Sequence, residues 1–223
     1  TLGEAIVTAA TEVIDGKFHD QFIVDPIQGG AGTSVNMNAN EVIANRALEL
    51  LGHDKGDYHI LSPNNHVNMA QSTNDAFPTA IHIATISLIE QLEETLTKLE
   101  EAFHKKAEEF DAVIKMGRTH LQDAVPIRLG QEFEAYARVL SRDRKRINQV
   151  HDNLYEVNLG ATAVGTGLNA DPVYMENVVE NLRELSGIPL KNASHLVDAT
   201  QNTDAYTEVS AALKICMVNM SKV

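Results

Sequence analysis

The sequence predicts a mostly α-helical protein organised around a bundle of long helices. Apolar residues recur at helical spacing in several separate segments. One long stretch, from about Thr79 to Phe110, holds that spacing without Pro or Gly and carries Glu and Lys on its polar face. No run alternates apolar and polar residues convincingly over six positions, so strands are not expected to dominate. A length of 223 residues with 43% hydrophobic content is enough to bury a core in one large domain or two modest ones.

Taken in order, Leu2, Ile6, Ala9 and Val13 mark a first helix. The segment QGGAGTSVNMNANE, residues 28–41, follows: Gly29, Gly30 and Gly32 let the backbone turn tightly, and Thr33 and Ser34 open the next helix, continued by Val42, Ala47, Leu50 and Leu51. Turn-rich stretches such as GHDKGDYHI, residues 52–60, offer room for one small hairpin. QSTNDAFPTA, residues 71–80, leads into the long helix, whose stripe includes Ile81, Ile83, Leu88, Leu92, Leu99 and Phe103. KMGRTHLQDAVP, residues 115–126, reads as a polar loop bracketed by Gly117 and Pro126. A second long helix is expected from Leu129 to Tyr155, its charged run SRDRKR being a solvated face or a subunit contact. Asp171-Pro172 starts another helix and Gly187 stops it. A last one runs from Thr203 to the end. Both ends read as cut: the chain opens inside an amphipathic pattern and stops at NMSKV with no cap after a helical run.

Charge narrows the partners. A net charge of −13 and a pI near 5.0 provide no clustered basic footprint, which argues against nucleic acid and against an anionic membrane surface. No segment approaches the ~20 apolar residues of a membrane span, and the first residues lack the basic and apolar regions of a signal peptide. The single cysteine, Cys216 in LKICMVNM, reads as a small buried hydrophobe and rules out a disulfide framework, in keeping with a cytoplasmic protein.

Three polar segments interrupt the helices: residues 28–41, the Ser72-Thr73-Asn74-Asp75 cluster, and residues 115–126 with Arg118, Thr119, His120, Gln122 and Asp123. Taken singly, Thr33 or Ser72 is a helix N-cap, His120 a structural histidine, and Arg118 half of a structural ion pair. Taken together, three donor-rich loops at helix ends suit a common cavity for an anion, because exposed N–H groups and hydroxyls at helix starts attract carboxylates. Other chemistries fit less well. The nine histidines show no HExxH spacing and there is no CxxC, which leaves a zinc site without support. ATAVGTGLN, residues 161–169, lacks the complete dinucleotide fingerprint. A Ser72/His120/Asp75 triad has suitable residue types but no G-x-S-x-G elbow.

The blocks GGAGTSVNMNANEVIANRALELLG, QSTNDAFPTA, GRTHLQDAVPIRLGQEFEAYARVL and NLGATAVGTGLN, in this order and spacing, resemble the aspartase/fumarase superfamily along essentially the whole chain. Within it the chain is most similar to the aspartase branch, which converts L-aspartate reversibly to fumarate and ammonia without an organic cofactor; the residues offer no metal site. Class II fumarases, the nearest alternative, read Ser-Ser-Asn-Asp in place of Ser72-Thr73-Asn74-Asp75, Ala-Thr-Pro in place of Ala124-Val125-Pro126, and His-Pro-Asn-Asp in place of Ser62-Pro63-Asn64-Asn65. The resemblance implies substrate-binding roles for Thr33, Ser72, Thr73, Asn74, Thr119 and His120. Thr33, Ser72 and Thr73 would hold the carboxylate beside the carbon that loses its proton; Asn74 and His120, with help from Thr33, would contact the amino group; Thr119 would bind the other carboxylate. Gln122 and Asp123 would support these from behind. His120 would assist catalysis, while the family's serine base, on a Gly-Ser-Ser loop, has no counterpart before Val223. The resemblance also implies a homotetramer with sites shared between subunits, an N-terminal domain ending near residue 70, and the first part of a central helical domain from residue 71. A non-catalytic helical assembly fragment, its polar loops serving only as caps, is the alternative of a different class.

Overall fold

In a computed structural model, which describes residues 1–28, 30 and 32–223, contacts divide the chain into two units. The first comprises residues 1–82 and 156–202, the second residues 83–155 and 203–223. Helix dominates both. Gly29, read from the sequence as part of a tight turn, lies outside the described residues.

In the first unit, α1 (Leu2–Ile14) starts from Thr1, whose hydroxyl accepts from the Glu4 N–H. It packs on α2 (Thr33–Leu50) through Ala5, Ala9, Ala44 and Ala47, small side chains that let the two helices approach closely, with Leu48 and, from beyond α2, Leu61 completing the cluster. Arg46 of α2 reaches Glu12 of α1 at 3.2 Å. Gly32 precedes α2 with φ of +84°, and a Cβ there would lie 2.2 Å from the Phe77 ring; no other residue fits that turn. The stretch at 52–60 uses its glycines in successive turns and forms no hairpin. A single π-helical turn, Pro63–Val67, follows it.

The long helix α3 runs from Thr73 to Glu109, starting six residues before the position expected from sequence. Pro78 explains the difference: it breaks the apolar pattern, yet the helix passes through it. Residues 73–82 belong to the first unit and 83–109 to the second. In the second unit Phe103 of α3 and Phe110 just beyond its end meet Phe133 and Tyr136 of α4 (Leu129–Gln149), with ring centroids 5.3 to 6.3 Å apart. The helix expected to reach Tyr155 ends at Gln149 and resumes as the short α5 (His151–Leu154), a break that no Pro or Gly marks. α8 (Asp204–Lys222) lies along α4, where the Asn219 amide donates to both oxygens of buried Asp143 at 2.9 and 2.8 Å. Asp143 belongs to the SRDRKR run, so that run is not uniformly solvated. Cys216 is buried, as its neighbours suggested.

The polar segment at 115–126 is a β-hairpin, not a loop. β1 (Ile114–Thr119) pairs antiparallel with β2 (Gln122–Arg128), and its two-residue turn is His120-Leu121. Both strands are almost wholly exposed, so no alternation of apolar and polar residues betrays them. A two-residue parallel pair, β3 (Glu156–Val157) with β4 (Lys191–Asn192), and the short α7 (Leu196–Gln201) belong to the first unit. Between these strands runs α6 (Pro172–Ser186), capped by Asp171, whose carboxylate accepts from the Val173 N–H at 2.8 Å, and ended by Gly187 at φ +70°.

Candidate functional site

The start of α3 is built by reciprocal capping. The Ser72 hydroxyl oxygen accepts from the Asn74 N–H at 3.1 Å, and Asp75 Oδ1 accepts from the Ser72 N–H at 2.9 Å. Asp75 then reaches far along the chain: its Oδ2 accepts from the N–H groups of Gly160 (3.1 Å) and Thr162 (2.9 Å). The side chain is fully buried. Burial pushes its carboxyl above the ordinary carboxylate range, opposed by main-chain N–H groups from Ser72, Thr162, Gly160 and Ala76. Pro78 has no N–H to give to the Asn74 carbonyl, and Asn158 Nδ2 fills that place at 3.0 Å. Asn74 Nδ2 donates in return to the Ala163 carbonyl at 2.7 Å. Residues 158–163 are thereby strapped to the first turn of α3.

Between that strap and the helix start lies a cavity of about 480 Å³, lined in part by Asn68, Ser72, Thr73, Thr162, Thr166 and Asn169. All its described lining side chains are uncharged. In a chain of net charge −13 this is a patch where an anion meets hydroxyls, amides and a helix N-terminus without facing a carboxylate. Thr73 is supported from α2, where Asn36 Nδ2 donates to its Oγ1 at 3.1 Å. Thr33, one helical turn before Asn36, is the exposed first residue of α2. The N-cap there is Gly32, so the capping role open to Thr33 from sequence does not apply. For Ser72 it does apply, and it leaves the hydroxyl proton free of the cap bond.

The second unit carries Thr119 and His120. Thr119 ends β1 opposite Gln122, and His120 is the first residue of the turn, with φ of +46° followed by +63° at Leu121. Two consecutive left-handed residues make the tight turn whose twist suits a hairpin, a conformation that Asn-Gly adopts with less strain. Both Thr119 and His120 are exposed. Arg118 pairs across the strands with Asp123 at 3.2 Å, the structural ion pair that the sequence suggested. The Ser72/His120/Asp75 triad fails on Asp75, whose two oxygens accept from three main-chain N–H groups in the buried strap.

The first unit thus brings Ser72 and Thr73 to one cavity, ties Asn74 in the first turn of α3 to the strap, and sets Thr33 at the neighbouring helix start. Thr119 and His120 share the hairpin of the other unit. Sequence reasoning did not single out Asn36, Asn68, Asn158 or Thr162; the available signal for Asn36, Asn158 and Thr162 was the crowding of polar residues in VNMNAN and NLGATAVGTGLN, and Asn68 had none. Among the described residues no group of three or more His, Cys, Asp or Glu is placed to hold a metal ion, and no helix is long and apolar enough to cross a membrane.

Comparison with known proteins adds the following. The chain matches the protein family described as Lyase over residues 1–223. It is 72% identical to the aspartate ammonia-lyase of Bacillus subtilis (strain 168) over 222 residues, covering 100% of this chain and 47% of that protein. Among solved structures, a fumarate lyase:delta crystallin from Brucella melitensis bound to cobalt superposes with a TM-score of 0.94 at 52% identity, over 98% of this chain and 48% of that one. A recombinant class II fumarase from Schistosoma mansoni superposes with a TM-score of 0.89 at 33% identity, over 98% and 49% of the respective chains. The chain spans about half the length of the curated relatives it matches.

Proposed function

We propose, because this chain belongs to the lyase family that matches it from end to end, within the aspartase/fumarase superfamily, that the protein at its natural length catalyses the reversible anti elimination of ammonia from L-aspartate to give fumarate. The observation that carries the reading is the uncharged, donor-rich cavity at the start of α3, which Ser72 and Thr73 line. Removing a proton from the carbon beside a carboxylate requires that carboxylate to take up a second negative charge as an aci-carboxylate. Fixed hydroxyl and N–H donors stabilise such charge as it develops, each worth on the order of 10² to 10³ in rate. In this reading Ser72, Thr73 and Thr33 hold that carboxylate. Asn74 and His120 face the amino group, Thr119 takes the second carboxylate, and His120 assists departure of the amine. The proton is taken by a serine outside these 223 residues.

Three features support ammonia over water as the group eliminated. Thr73 stands where fumarases carry serine, Val125 where they carry threonine, and Ser62-Pro63-Asn64-Asn65 replaces their second anion site. The chain is also more alike to the aspartate ammonia-lyase than to the fumarase compared above. The same reading includes a cytoplasmic homotetramer with shared sites and a domain boundary near residue 70. A test is Thr73→Val and His120→Ala, singly and together, in the protein at its natural length. The expected outcome is a fall of about 10² or more in kcat/KM for L-aspartate for Thr73→Val, with loss of succinate binding in the pair. Unchanged turnover and binding would leave these loops as helix caps only.

A further inference from the structure

An asparagine cluster beneath Thr73 fixes the direction in which its hydroxyl proton points. The orientation of each amide follows from its partners, and here the chain of partners starts from a group that can only accept. The Gln71 carbonyl accepts from Asn68 Nδ2 at 3.3 Å, which turns Asn68 Oδ1 the other way. That oxygen accepts from Asn36 Nδ2 at 3.2 Å and from Asn40 Nδ2 at 2.9 Å. With its NH₂ committed to this side, Asn36 gives its other N–H to Thr73 Oγ1 at 3.1 Å. A hydroxyl has one proton and two lone pairs. Since Thr73 accepts from Asn36, its own proton is left to donate, and Thr73 lines the cavity. Ser72 has the same polarity, because its oxygen accepts from the Asn74 N–H.

We propose that Asn36 is a positioning residue that, oriented by Asn68, holds the Thr73 hydroxyl as a donor toward an acceptor-only group, an ionised carboxylate, and so disfavours a carboxamide at the same place. The inference rests on the reading of this cavity as the carboxylate site. Were Asn36 reversed, its oxygen would draw the Thr73 proton inward and present lone pairs to the ligand, which repels an anion. Were the ligand group an amide, its carbonyl oxygen would accept from one hydroxyl, while its NH₂ would offer no lone pair to the other and so lose one of the two donor contacts that a carboxylate accepts.

The test is a double-mutant cycle in the protein at its natural length. Asn36→Ala, Thr73→Val and the pair are compared by kcat/KM for L-aspartate, by the Kd of succinate, and by the ratio of succinate to succinamate affinity, with circular dichroism on each variant. Asn36→Ala is expected to lower kcat/KM and to weaken succinate about three- to tenfold, the range of one hydrogen bond, and to narrow the succinate preference. In the Thr73→Val background the same substitution is expected to change each quantity less than about twofold. Equal losses in both backgrounds, or no loss from Asn36→Ala while Thr73→Val is impaired, would overturn the proposal alone. An unimpaired Thr73→Val would overturn both it and the carboxylate-site reading. If Asn36→Ala does not fold, Asn36→Ser takes its place, since it keeps a polar group in the cluster but is too short to reach Thr73.

Discussion

Asp75 is a charged side chain whose surroundings are main chain. Its two oxygens accept from Ser72, Gly160 and Thr162, so it stitches the first turn of α3 to residues more than eighty positions away. An asparagine has the same size but only one acceptor, and either orientation of its amide sets an NH₂ against a backbone N–H. Asp75→Asn is therefore expected to destabilise the fold by about 1–3 kcal/mol, read from denaturant midpoints; a change below about 0.5 kcal/mol would show that the strap does not depend on the carboxylate. Near it, Tyr174 is pushed up to about 12 by burial first and by the Asp75 charge second, with the Gln71 side chain opposing. Tyr206 is pushed up to about 12 by burial. For both, the folded state keeps the phenol proton beyond the pH at which the unfolded chain releases it. Stability is therefore expected to fall as pH rises from about 10 to about 12. Tyr155 is also raised, by burial and by Glu90, Asp152 and Glu93, so spectrophotometric titration should show three of the five tyrosines ionising late. Five tyrosines titrating together near 10 in the folded protein would contradict this.

At the scale of elements, Pro78 and Asn158 act as a pair. The proline denies the Asn74 carbonyl its helical partner and Asn158 supplies one from the strap. Asn158→Ala is expected to cost about 1–3 kcal/mol, and less in a Pro78→Ala background, where the restored N–H can take the carbonyl. Equal costs in both backgrounds would uncouple the two. Much of the element order was legible because α2, α6 and α8 announce themselves through apolar stripes and through residues such as Asp171, Pro172 and Gly187. The hairpin was not legible: a strand pair exposed on both faces imposes no alternation on Lys115, Arg118, Gln122 or Asp123. The same holds for the site. Ser72, Thr73, Asn74 and Asp75 stand out as a cluster in the sequence, while the distant partners through which Asn36, Asp75 and Asn158 act lie 32 to 87 residues away, and no local pattern encodes them.

For the whole molecule, the distribution of charge matters more than its sum. A chain of net charge −13 would repel a dicarboxylate unless the receiving surface were cleared of carboxylates, and the described side chains that line the cavity at the start of α3 are all uncharged, hydroxyls and amides among them. The second unit pairs α4 with α8 through Asp143 and Asn219, and carries an exposed hairpin with Thr119 and His120 at its tip. The most direct test of the central claim is the appearance of fumarate by ultraviolet absorbance when the protein at its natural length is given L-aspartate or L-malate separately. Fumarate from L-aspartate and none from L-malate is the predicted result. Fumarate from L-malate alone would contradict it and identify a hydro-lyase, and no fumarate from either would contradict the elimination itself.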